Sequence, residues 1–196
     1  MSDLKILIHP HPVLKYETRS IKKIDSELKK IVREMFDVMY ATEGIGLAAN
    51  QVGLPYRLFV MNTSADPERK EDEHVFINPV IQKKKGSEED EEGCLSFPDI
   101  RAPVVRPAEI VIEGVTLDGQ LAEFTWKGLA ARAAQHEFDH LNGISFVDRV
   151  SVAAFADIRE KILDLEYQFE TDQRLGIIPS KDQIIAGLAT LIHERC

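Results

Sequence analysis

The chain has 196 residues, 44% of them hydrophobic, which suffices for one domain with a true core and at most a trailing helix. Its formal net charge is -9, with basic residues interleaved among acids, so it lacks the basic stripe that neutralises a phosphate backbone and no nucleic-acid partner is expected. No run approaches the roughly 18 apolar residues of a spanning helix and MSDLKILIHPHP does not read as a secretory leader, so a soluble cytoplasmic protein without a membrane partner is expected.

In chain order, the segment from Asp25 to about Ala41 carries Leu28, Ile31, Val32, Met35, Phe36 and Met39 at the three-and-four spacing of one helix face. Asp25 or Ser26 can cap its start. GIGLAANQVG, with Gly44, Gly46 and Gly53, reads as a loop, and YRLFVM (Tyr56 to Met61) as a strand of aromatic and branched residues. VFINPVI reads as a short strand, and the charged KKKGSEEDEEG (Lys83 to Gly93) as a solvated connection. From Glu109 to Trp126, apolar and polar residues alternate on both sides of Asp118-Gly119, the strongest hairpin signal in the chain. Lys127 to Leu141 is an alanine-rich helix with Asn142-Gly143 as its stop. Val152 to about Phe169 forms a last amphipathic helix, and Ile184 to Ile192 can form a short one. Strands precede a helix instead of alternating with it, so the expected class is α+β. With no linker or repeat in view, the expected organisation is a single domain over residues 1–196.

The chemistry concentrates in QHEFDHLNG. His136 and His140 lie one above the other on a helix, about 6 Å apart along its axis, so both imidazoles can reach one metal ion. Glu137, one residue round, is placed to handle water beside the metal and not to ligate it. Two histidines at this spacing in an acidic protein are often plain surface groups. The intervening glutamate and the alanine-rich, core-facing setting favour a metal site. A catalytic metal needs a third protein ligand, for which His193, Asp148 and Glu160 lie downstream and Cys94 upstream. Cys94 and Cys196 are the only cysteines; without an export signal they are expected as thiols, and a free cysteine is most often a buried small hydrophobe.

GIGLAANQ (Gly44 to Gln51), EGCLS (Glu92 to Ser96) and QHEFDHLNG together resemble the motifs of the peptide deformylase family, over roughly residues 4–165, with 166–196 as a C-terminal extension. The resemblance implies antiparallel sheets packed around a central metal-binding helix, with N-terminal and C-terminal helices. It also implies hydrolytic removal of the formyl group from the N-terminal formylmethionine of nascent polypeptides, with release of formate. Cys94, His136 and His140 would hold one divalent ion, with Glu137 as general acid/base and the Gln51 amide and Leu95 backbone N–H as oxyanion donors. Ferrous iron is the implied physiological ion; a thiolate with two imidazoles also suits zinc, nickel or cobalt. Ile45, Leu129, Arg132 and Ala133 would fall near the methionine pocket, and backbone groups of Gly46 and Gly93 along an extended peptide. By position, Arg132 would wall the pocket with its aliphatic stem. The family also implies a Glu92–Arg106 ion pair. Asp139 would orient the helix or the groups around the ligands. One departure is Asp90, which stands at the implied entry rim where several relatives carry an apolar or aromatic residue.

Competing readings are a zinc endopeptidase with a ligand other than Cys94 and a non-catalytic, metal-stabilised binding module in which Glu137 would be dispensable. Contact of the last helix with the ribosome is a further possibility implied by the nascent-chain substrate, packing on its own domain being the simpler expectation.

Overall fold

A computed structural model describes residues 4–196. Helix α1 (Ser26–Ala41) begins where the Asp25 carboxylate accepts from the Leu28 backbone N–H, 2.9 Å away, satisfying one of the donors a helix start leaves open. Strands β1 (Gly46–Ala48), β2 (Leu58–Met61), β3 (His74–Lys85), β6 (Glu109–Val115) and β7 (Leu121–Lys127) form one antiparallel sheet in the order β1-β2-β3-β6-β7. Strands β4 (Glu88–Cys94) and β5 (Phe97–Arg106) form a separate two-stranded ribbon.

Alternation along β2 explains why its sequence is apolar without interruption. Leu58 and Val60 pack against Leu28, Val32, Met35 and Met39 of α1. Phe59 and Met61 point the other way, towards Ala131, Ala134 and Leu141 of helix α2 (Gly128–Leu141). A strand covered on both faces loses the apolar/polar alternation of a half-exposed one. The alanines of α2 let the helix lie close over Phe59, Phe76, Ile110 and Ile112. A third cluster joins Phe97, Ile100, Ala102 and Val104 of β5 to Ile158 and Ile162 of helix α3 (Val152–Arg174). Helix α4 (Lys181–Arg195) returns to the start of α1: Leu188 is buried, and Arg195 donates to Asp25 at 2.8 Å and Glu27 at 2.9 Å.

The α+β class and the Glu109–Trp126 hairpin agree with the expectation from sequence. Several local expectations need correction, and strand β5 had no reading from sequence. The charged stretch from Lys83 is the end of β3, a short connection at Gly86 and Ser87, and most of β4, because pairing with β5 supplies the ladder bonds that its own residues do not favour. Strand β5 escapes a reading by pattern because Pro98 and Pro103 interrupt it; both sit on a two-stranded ribbon, where proline is tolerated. The glycine-rich loop contains β1 and a 3-10 turn (Ala49–Val52). Helix α3 runs on to Arg174, and α4 is longer than Ile184 to Ile192. Among the described residues no helix is long and apolar enough to cross a membrane.

Candidate metal centre and active site

Helix α2 places His136 and His140 one turn apart with their Nε2 atoms 3.2 Å from each other. It stops at Leu141, and just past its cap Gly143 has φ of +70° and a Cβ there would stand 2.5 Å from the Lys15 carbonyl oxygen, so only glycine fits. Cys94 arrives from the other side, at the end of β4. A register shift between Gly93 and Cys94 breaks the ladder there, a device that re-aims a side chain. The Cys94 Sγ lies 3.2 Å from His140 Nε2, and the three ligand atoms all fall within 4.8 Å of one another. Tetrahedral coordination with metal–N bonds of about 2.0–2.1 Å puts neighbouring nitrogens about 3.3 Å apart. The His136–His140 spacing is therefore that of two corners around one ion, the Cys94 thiol is close enough to supply a third, and a thiolate with two imidazoles suits a divalent transition metal. Of the other candidates, Asp148 is engaged by Lys15 and the Ser145 N–H, and neither His193 nor Glu160 joins the group.

Glu92 organises the surroundings. Its carboxylate accepts from Arg106 Nε at 2.5 Å and Nη2 at 2.8 Å, from Arg132 Nη1 at 2.7 Å and from His136 Nδ1 at 3.1 Å. Burial opposes its charge, but the His136 and Arg106 contacts prevail and hold it well below the usual carboxylate range. Arg106 also donates to Asp139 at 2.7 Å, and Arg149 donates to the same carboxylate through two nitrogens. The expected Glu92–Arg106 pair is present, and Asp139 bonds to Arg106 and Arg149 and is not one of the grouped ligands. The contribution of Arg149 had no signal in the sequence.

Gln51 is held from both ends. Its Oε1 accepts from the Ala48 N–H at 2.8 Å, which turns Nε2 towards Cys94 Sγ at 3.4 Å and Ser96 Oγ at 3.3 Å. Glu137 is buried, its Oε2 has no hydrogen-bond partner, and burial pushes its pKa up to about 7. In the metal-free protein burial disfavours the charged form of His136, but hydrogen bonds to Cys94 and Glu92 outweigh it and raise the pKa to about 10; burial and the neighbouring His136 drive His140 well below the ordinary histidine value. A buried carboxylate oxygen without a partner is rare and calls for a functional explanation.

Glu137 stands at the wall of a cavity of about 580 Å³. Ile45, Gly46, Gln51, Gly93, Cys94, Leu95, Leu129, Arg132, Ala133, His136 and Glu137 all line it. Of the residues expected at the site, only His140 lies behind this lining. Glu43, Phe97, Asp99 and Arg101 also line the cavity and were not anticipated. Glu43 and Asp99 adopt left-handed backbone, with φ of 55° and 58°, a conformation invisible in a one-dimensional pattern. Asp90, expected at the entry rim, lies exposed outside the lining, its carboxylate accepting from the Glu91 N–H at 2.9 Å.

Fold and site together define a class: an α+β protein whose H-E-x-x-H helix meets a thiol brought by a β-ribbon at the wall of a cavity. The family model of polypeptide deformylase matches residues 3–155, and the chain belongs to that family. It is 39% identical over 195 residues to a peptide deformylase of Rhodopirellula baltica, covering 98% of this chain and 92% of that protein. It is 44% identical over 190 residues to the chloroplastic peptide deformylase 1B of Oryza sativa subsp. japonica, covering 96% and 70%. Among solved structures, Arabidopsis thaliana peptide deformylase 1B with a bound inhibitor superposes with a TM-score of 0.83 at 40% identity, covering 91% of this chain and 97% of that one. Plasmodium falciparum peptide deformylase gives 0.83 at 37% identity, covering 85% and 98%.

Proposed function

We propose that this chain is a metal-dependent hydrolase that removes the N-formyl group from the N-terminal formylmethionine of nascent polypeptides and releases formate. The observation that carries this reading is the convergence of Cys94, His136 and His140 with a buried, unpartnered Glu137 oxygen at one cavity, in a chain of the polypeptide deformylase family.

Cys94, His136 and His140 would hold a divalent ion, which when bound would supply Lewis acidity to the formyl oxygen and to water. We take ferrous iron as the physiological ion, with zinc, nickel or cobalt as chemically acceptable substitutes. Glu137 is the general acid/base: its carboxylate accepts a proton from the attacking water and returns it to the departing α-amine. A carboxyl whose pKa has been raised towards neutrality by burial suits both transfers. Gln51 Nε2 and the Leu95 N–H donate to the oxygen of the tetrahedral intermediate, and Ala48 holds the Gln51 amide in the orientation this needs. Ile45, Leu129, Ala133 and the stem of Arg132 wall the pocket that takes the methionine side chain. Gly46 and Gly93 offer backbone alongside the peptide. We further propose that it acts in the cytoplasm, on chains emerging from the ribosome.

The test is formate release from a short formyl-methionyl peptide by protein loaded anaerobically with ferrous or nickel ion, beside Glu137→Ala. Release by the parent and loss in a variant that still holds its metal is the expected result. No release from a filled metal site would refute the proposal, and cleavage of internal peptide bonds would turn it into an endopeptidase.

A further inference from the structure

Cys94 and the two histidines come from pieces of structure that are not hydrogen-bonded into one sheet. The histidines ride on α2, which packs on the five-stranded sheet, whereas Cys94 ends a strand of the separate β4–β5 ribbon. Their spacing therefore depends on what ties the ribbon to the helix. Arg132, one turn before His136, makes that tie to both strands. Its Nη1 donates to the Glu92 carboxylate of β4 at 2.7 Å and to the Val104 carbonyl of β5 at 2.9 Å, and its Nη2 donates to the Glu88 carbonyl of β4 at 2.9 Å. Arg132 and His136 also bind opposite oxygens of Glu92, Oε1 and Oε2. The guanidinium is thus spent within the protein, and the cavity is left with the stem.

We infer that Arg132 is a positioning residue that fixes Cys94 against His136 and His140, and that its guanidinium does not contact substrate. This rests on the metal centre proposed above. Partners of this kind around metal ligands commonly alter affinity by about tenfold to a hundredfold. A planar guanidinium satisfies three acceptors on two strands at once, which a lysine ammonium at the end of a flexible stem does not reproduce.

The experiment compares the parent with Arg132→Met, which keeps an unbranched apolar stem, and with Arg132→Lys, which keeps the charge. Each is loaded with cobalt(II); the thiolate-to-metal and visible absorption bands are recorded, then the rate of metal loss to excess chelator, then kcat and KM. The inference expects both variants to lose metal about tenfold or more faster, with altered bands and lower kcat, while KM stays within about twofold. Parental metal retention with unchanged bands in Arg132→Met, or full restoration by Arg132→Lys, would overturn it. If only Arg132→Lys folds, parental metal retention by that variant alone is enough to overturn it. Absence of a thiolate band in the parent would remove the metal-centre reading itself, and this inference with it.

Discussion

Gly46 is where the fold and the chemistry press most closely on each other. A Cβ added there would stand 2.5 Å from Glu137 Oε1 and 2.9 Å from its Cδ and Cγ. Gly46→Ala therefore forces the carboxylate back by about 0.9 Å, the distance from 2.5 Å out to ordinary contact at 3.4 Å. Because the obstructing atoms are the end of a side chain, the helix and sheet need not shift and the protein should fold and load metal normally. A displacement of about 1 Å in a reacting group costs on the order of a hundredfold in rate, about 2.7 kcal/mol of transition-state stabilisation. The assay is formate release at saturating metal, with metal content and thermal unfolding measured on the same preparation. Activity within about threefold of the parent, at full metal content, would show that Glu137 works from elsewhere. Gly119→Ala is the control, since no atom lies within 4 Å of that Cβ and its positive φ makes the change one of stability alone.

Three further outcomes are expected. Arg106→Met removes one of several partners from each of the buried carboxylates of Glu92 and Asp139, which should lower the unfolding free energy from denaturant titration by about 1.5–3 kcal/mol; a loss below about 1 kcal/mol would refute the network's role. Metal uptake should release protons: with a pKa of about 10, His136 is protonated at neutral pH in the metal-free protein and must become neutral to ligate. Apparent affinity should then rise with pH through the neutral range, and calorimetry in buffers of different ionisation enthalpy showing no proton release would contradict this. Asp25 is held well below the usual carboxylate range by the Leu28 N–H and by Arg195. Its charge therefore contributes stability that is present above the unfolded pKa of about 3.9 and is lost as pH falls through the lower folded value. Asp25→Asn should be less stable than the parent at pH 7 and converge with it in acid; a gap that persists in acid would assign the effect to the cap and not to the charge.

Much of the site was legible in one dimension because its rules are local. Helical geometry sets His136 and His140 on one column whatever surrounds them, and the Asp25 cap and the Asp118-Gly119 hairpin follow from chemistry within a few residues. Only the tertiary structure decided the rest. Spacing alone left Cys94 among four possible third ligands; the ribbon's register shift and its ties through Glu92, Arg106 and Arg132 bring that thiol, and none of the others, to the histidines. The acidic run that reads as a solvated connection became β4 because β5 offered it backbone partners, and β2 reads as uniformly apolar because helices cover both its faces. A backbone period is written into neighbouring residues. Which distant segments share a cavity is set by packing and buried charge, acting between residues the sequence keeps far apart.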